Sequence, residues 1–346
     1  MKKVFQHLLI TAVALLAVFP VAAQPKITLN HLGVPTSFSN LPDAHTAAQD
    51  GDTLFLSGGL IQPYSDFTIN KSLHIVGTGH YPDSTTATNT TMIYTLRFLN
   101  GAGGGSIEGC VINDLYIGYA ENQNFTGFSV KRCSVGNLYL GYDNVSTFES
   151  IFLTDNVFQN YVIIKDGYPN IVITRNIFNL MNCNAQGLLF KNNIMYTYYA
   201  QALMGLSNCV LENNIIINTD GAGNPGPYFN IGSSYCEFFN NIFMQTVDYW
   251  GLNSQFNSLT AQTLTGTFVN ANGYSFNYSY NYHLLSSSPG KNFGTDGKDV
   301  GLYGTLFPYK DGAVPFNPHI MSKSISGETT PSQVLNVNIS VSAQDY

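Results

Sequence analysis

Charge is scarce in this chain: only 10% of its 346 residues are Asp, Glu, Lys or Arg, arginine occurs three times, and no histidine lies between Arg97 and Tyr282. So few cations exclude nucleic acid as a partner, because backbone phosphates are bound by Lys and Arg. Tryptophan occurs once. No apolar run reaches the roughly 20 residues of a membrane-spanning helix, so no membrane span is expected. Segments with a 3.6-residue apolar period are also missing, which argues against a helical fold.

The one sustained apolar run, Leu8 to Phe19, follows Lys2 and Lys3 and precedes Val21-Ala22-Ala23. This is the order of a secretory signal peptide over residues 1–23. The expected product is secreted, periplasmic or extracellular, and begins at Gln24. It carries 12 basic against 21 acidic groups, a net charge of −9. The five cysteines, Cys110, Cys133, Cys183, Cys209 and Cys236, are an odd number, so an oxidising compartment leaves at least one thiol free.

Gly, Asn, Tyr and Phe are plentiful, which suits strands joined by tight turns. Cys110 to Tyr119 and Cys133 to Tyr142 match almost position for position, 23 residues apart. A second pattern follows, Asn and then two apolar residues, at Asn156, Asn176, Asn193, Asn214 and Asn241, with steps of 20, 17, 21 and 27. Short apolar strands at such irregular periods predict one coil per repeat, with insertions in the loops. Asn tolerates the left-handed turn, and its amide can bond the next Asn along the stack. Those five residues are therefore expected to form a structural ladder.

Counting back from each ladder Asn sets the register. Five residues before stand Ile151, Ile171, Leu188, Cys209 and Cys236, and three before stand Leu153, Ile173, Phe190, Leu211 and Phe238. All are apolar or cysteine, as the inward face of a strand requires. Cys209 and Cys236 thus share one inward column on neighbouring coils, as Cys110 and Cys133 do, either as small core residues or as disulfides between coils. Four before stand Phe152, Val172, Leu189, Val210 and Glu237. That outward column is apolar in four coils and calls for a cover by a loop, the C-terminal tail or a partner protein. The tail is slightly favoured.

The fold class is all-β: a single-stranded right-handed parallel β-helix, or solenoid, over residues 24–306. Residues 307–346 form a C-terminal linker and capping strand, with Val334 to Val341 alternating as the strand that covers the open end. Asp50-Gly51-Asp52-Thr53-Leu54-Phe55-Leu56, Gly58-Gly59 and Ile69-Asn70-Lys71-Ser72-Leu73-His74-Ile75-Val76-Gly77 resemble the opening coils of the pectin-lyase-like superfamily. Ser288-Pro289-Gly290-Lys291-Asn292-Phe293-Gly294-Thr295-Asp296-Gly297-Lys298-Asp299-Val300-Gly301 is similar to the closing segment of many secreted bacterial members, which usually carry Ala where Gly290 stands. The resemblance covers roughly residues 36 to 320. It implies lyases, hydrolases, esterases, epimerases, adhesins or binding scaffolds, and so specifies fold better than function.

The paired-Asp, His-Gly and Arg-x-Lys signatures of the polygalacturonase-like hydrolases are missing. No cofactor is expected; calcium is suggested by the superfamily alone, because Asp296 and Asp299 are too few ligands for it. The position before each ladder Asn holds Asp155, Arg175, Asn192, Asn213 and Asn240, expected on the outside of one turn. There Arg175 would be the proton acceptor or carboxylate clamp of a polysaccharide lyase, with Asp155, Lys191 and Glu212 alongside. The plainer reading is a surface ion pair. Tyr196, Tyr198, Tyr199 and Tyr228 are the candidate sugar-stacking residues. The favoured expectation is a secreted scaffold that binds glycan or a surface partner without strong catalysis. A lyase on an acidic polysaccharide and a structural adhesin or assembly protein are the alternatives.

Overall fold

The structure is a computed structural model that describes residues 27–119, 124–141, 147–164, 170–198, 201–203, 205–220, 224–226, 229–315, 318–330 and 332–342. It is a nearly all-β parallel solenoid of about seven turns. Two stacked sheets form its walls, one of 12 strands and one of 11. Sheet 1 runs from Val34–Phe38 through Thr147–Thr154 to Ser254–Phe256, and sheet 2 from Gly59–Ile69 through Ile177–Gln186 to Ile242–Phe243.

Each coil passes from sheet 1 to sheet 2 through a two-residue corner. The first corner residue is left-handed: Arg132, Asp155, Arg175, Asn192, Asn213 and Asn240 have φ of 49°, 60°, 54°, 56°, 58° and 50°. The second is the ladder residue. Nδ2 of Asn156 donates to Oδ1 of Asn176 at 3.0 Å, Asn176 to Asn193 at 3.2 Å, Asn193 to Asn214 at 3.0 Å and Asn214 to Asn241 at 3.0 Å. Asn156 Oδ1 also accepts the Cys133 N–H at 3.0 Å. The cysteine repeat and the asparagine repeat therefore share one register, with Cys133 at the ladder position of its coil.

A second left-handed column falls inside the sheet 1 strands at Gly127 and Ser150 and just before them at Asn170, Gly187, Asn208 and Tyr235. Two such corners per coil account for the abundance of Gly and Asn. Between the walls the counted inward residues are buried, and rings stack through the core, Phe158 on Phe178 at 5.1 Å.

The first end of the solenoid is closed by the antiparallel strands Ile27–His31 and Val34–Phe38 and by the helix Leu41–Ala47, which buries Leu41 and Ala44. Asn40 caps that helix through the Asp43 N–H. Lys71 caps its other end, donating to the carbonyls of His45, Thr46 and Ala48 at 2.7, 3.1 and 2.7 Å. A cation there satisfies the orphan carbonyls and the helix dipole. At the far end Trp250 packs edge-on against Phe238 and Phe243.

The coils stop near Phe256, earlier than residue 306, and residues 264–315 form a strap along the outside. The strap runs backwards over the corner column. Phe293 O accepts from Asn240 Nδ2, the Thr295 N–H donates to Asn213 Oδ1, Gly301 O accepts from Asn192 Nδ2, and Pro315 sits on Gly109. Its underside buries Val157, Ile177, Ile194, Ile215 and Ile242, the residues just after the ladder asparagines, against Leu264, Phe268, Tyr282, Val300 and Leu302. The covered outward column is thus this one. The Phe152 column on sheet 1 keeps Phe152 at 42% and Leu189 at 37% exposure.

Close approach explains the glycine at position 290. A Cβ there would lie 2.8 Å from Val300 Cγ2 and 3.0 Å from Ile242 Cδ1. Gly290→Ala is therefore expected to cost about 2 kcal/mol by overpacking, read as a shift of the urea midpoint at unchanged slope. A variant as stable as the parent would show that the strap gives way there.

The final strand does not cap the solenoid. Val337–Ser342 pairs antiparallel with His319–Ile325, and Val337, Ile339 and Val341 remain 49%, 55% and 56% exposed.

Candidate functional site

The residues read as catalytic lie along the strap edge and are paired with one another. Arg175 Nε meets Asp155 Oδ1 at 2.7 Å, and Lys191 Nζ meets Glu212 Oε1 at 2.7 Å. Thr295 of the strap donates its hydroxyl to Glu212. Arg132 extends the row, 3.1 Å from Glu108 and 3.8 Å from Asp155, with its side chain only 2% exposed. Burial raises the Asp155 pKa against the opposing pull of Arg175 and Arg132. A lyase base must be free to take a proton, whereas here Arg175 and Lys191 are each held by a carboxylate at 2.7 Å.

Of the candidate sugar-stacking residues, Tyr196 is fully buried under the strap and donates its hydroxyl to Tyr282 at 3.3 Å. It faces outward from sheet 2, but the strap has taken that face. Tyr198 ends the strand Ile194–Tyr198 with its side chain outside the described residues, where Tyr199 and Tyr228 also lie.

A tyrosine-lined cleft of about 260 Å³ lies elsewhere, between the strap and the loop after His74–Val76. Tyr81 and Asp83 come from that loop, Tyr278, Tyr280 and Tyr282 from the strap before and within Asn281–Leu284, and Tyr303, Tyr309 and Asp311 from its later part. Local pairing holds the walls. Tyr81 and Tyr309 share a hydroxyl hydrogen bond of 3.1 Å, and the Tyr278 hydroxyl meets His80 Nδ1 at 3.2 Å. Tyr303 donates to Asp311 Oδ1 at 2.6 Å, and its ring stacks on His283 at 3.7 Å.

Burial pushes the phenols of Tyr81, Tyr303 and Tyr309 well above their ordinary pKa, with Asp311 adding to the effect at Tyr303. They stay neutral donors at any physiological pH. Burial also lowers His80 to about 3, so its ring is an uncharged part of the wall. The cleft therefore offers aromatic surface, neutral hydroxyls and the carboxylates of Asp83 and Asp311, groups that suit a hydroxyl-rich ligand.

A second depression of about 370 Å³ includes Leu60, Met92, Tyr94 and Asn113 on the outer face of sheet 2. The aromatic stack on that sheet uses its own ring faces: Tyr116 lies on Tyr139 at 4.5 Å and 10°, with Arg97 over Tyr116 at 5.0 Å.

Among the described residues no group of three or more His, Cys, Asp and Glu could hold a metal ion. In the turn weighed for calcium, Asp299 accepts from Lys291 and the Asn292 N–H, and Asp296 from the Lys298 N–H.

Sequence reasoning missed the cleft. The signal was three tyrosines within five residues, Tyr278, Tyr280 and Tyr282, which a turn closed by the Tyr280 N–H on Asn277 O and the strand Asn281–Leu284 bring to one cleft. No protein-family model and no curated protein matches this chain. Its function therefore has to be read from its own geometry.

Proposed function

We propose that this chain is a secreted glycan-binding solenoid whose ligand sits in the tyrosine cleft. The observation that carries the reading is the cleft itself: tyrosine rings from the strap and from the loop at Tyr81 meet around Asp83 and Asp311. Tyrosine supplies large, amphipathic surface at little entropic cost, and a carboxylate accepts the paired hydroxyls of a sugar. The leader-like first 23 residues support a place outside the cytoplasm. The opening and closing segments support a place in the pectin-lyase-like superfamily.

The test is retention of residues 24–346 on gels loaded with neutral and acidic polysaccharides, with ultraviolet absorbance recorded for unsaturated products. Retention without product is the expected result. Tyr280→Ala and Asp311→Asn should each weaken it roughly tenfold, the loss of one aromatic contact or one charge-assisted hydrogen bond, at an unchanged melting midpoint. Failure of the parent to bind any glycan would overturn the reading, and unsaturated product would replace binding by catalysis.

A further inference from the structure

The register of the last coils brings two cysteines together. Val210 pairs with Glu237 and Leu211 with Phe238 in parallel, so Cys209 and Cys236 stand opposite each other at the start of neighbouring sheet 1 strands. Neighbouring strands lie roughly 4.8 Å apart, within the Cα separation a disulfide accepts. The corner residues before them, Asn208 and Tyr235, are both left-handed, with φ of 51° and 56°, so the two backbones approach the cysteines in the same conformation. The Cys209 N–H donates to Cys236 Sγ at 3.4 Å, which turns the Cys236 sulfur toward its neighbour. Both residues are buried in the main core.

We infer that Cys209 and Cys236 are a thiol–disulfide exchange pair that closes into a staple between two coils as the chain folds, with a small-molecule or protein disulfide as co-reactant. One Cys236 thiolate attacks a sulfur of the co-reactant, forming a mixed disulfide and releasing one thiolate. Cys209 then attacks the Cys236 sulfur, the protein disulfide forms, and the second thiolate leaves. The co-reactant is reduced to two thiols, which take up the two protons, and the cysteine pair is oxidised.

The chemistry favours this pair over the other one. In the folded coil, hydrogen bonding from the Cys209 side chain, against burial, lowers the Cys236 thiol to about 7, as two facing sulfurs would. Cys110 and Cys133 are also opposed, through Val111 and Ser134. Burial, however, raises Cys133 to about 12 and Cys110 well above its ordinary value. Those two are inert fillers of the ladder column.

The experiment is refolding of the full chain from urea at pH 8 with oxidised or with reduced glutathione, followed by proteolysis and mass spectrometry. The expected product of oxidation is a Cys209–Cys236 cross-linked peptide, two hydrogens lighter than its reduced form. Its melting midpoint should be higher by roughly 5 °C, because the link shortens the unfolded chain's free loop. The double variant Cys110→Ser, Cys133→Ser should keep both the cross-link and the shift, and Cys236→Ser should lose both. A folded product with both thiols still free, or a cross-link that joins Cys110 to Cys133 or involves Cys183, would overturn the inference.

Discussion

Asn193→Ala should lower stability by about 4 kcal/mol, roughly 8 °C in melting midpoint, the largest single-residue effect expected in the solenoid. Asn193 is at the middle of the ladder and completely buried. Its Oδ1 accepts from the Asn176 N–H at 2.8 Å and from Asn176 Nδ2 at 3.2 Å. Its Nδ2 donates to Ile173 O and to Asn214 Oδ1, both at 3.0 Å. Alanine would take bonds from buried groups on both neighbouring coils, the Asn176 N–H and Ile173 O on one and Asn214 Oδ1 on the other, with no water to replace them. Asn192→Gly is the control. It gives up one bond to the strap, at 3.1 Å, and places glycine where φ is 56°, so it should shift stability by less than about 1 kcal/mol. Chemical denaturation of the two variants decides the matter. If they were equally destabilised, the ladder would be worth no more than a strap contact.

Acid should loosen the cleft through His80. Its folded-state pKa is lowered from 6.5 to about 3 by burial, and its Nε2 has no hydrogen-bond partner. A proton added there would place a charge between Tyr81 and Tyr278. Because the folded pKa lies below the unfolded one, this contribution to stability is intact above the ordinary imidazole range. It is lost progressively as pH falls from about 6.5 toward about 3, amounting to about 3 kcal/mol by pH 4. Asp155 acts in the opposite sense, since a raised carboxyl pKa removes stability as pH rises through it. The difference in unfolding free energy between parent and His80→Phe therefore isolates the histidine. The variant should lose less stability between pH 7 and pH 4 than the parent does. Parallel profiles would mean that the buried imidazole takes up its proton without cost.

The coil repeat was legible because it is local. Ile151 with Leu153 and Cys209 with Leu211 could be placed on the inward face by counting back from Asn156 and Asn214, and the ladder bonds join the residues that count selected. The ladder motif held more information than that reading used. Asn followed by two apolar residues, as in Asn176-Ile177-Phe178, means that both faces of a strand are buried, since successive side chains point to opposite sides. Phe178 fills the inner core and Ile177 the second core beneath the strap. The Phe152 column drew attention instead because its residues are large, yet nothing in the chain order says which of two apolar columns a distant segment will choose.

Period, turn chemistry and inward pattern act over a few residues, so the sequence by itself determined the parallel solenoid, its corner residues and the asparagine ladder. Only the tertiary structure decided where the strap lies, and with it the burial of Tyr196 and the assembly of the cleft. Its defining contacts, Tyr81 with Tyr309 and His80 with Tyr278, span 228 and 198 residues. Contacts at that separation depend on how a whole surface packs, and no local period encodes them.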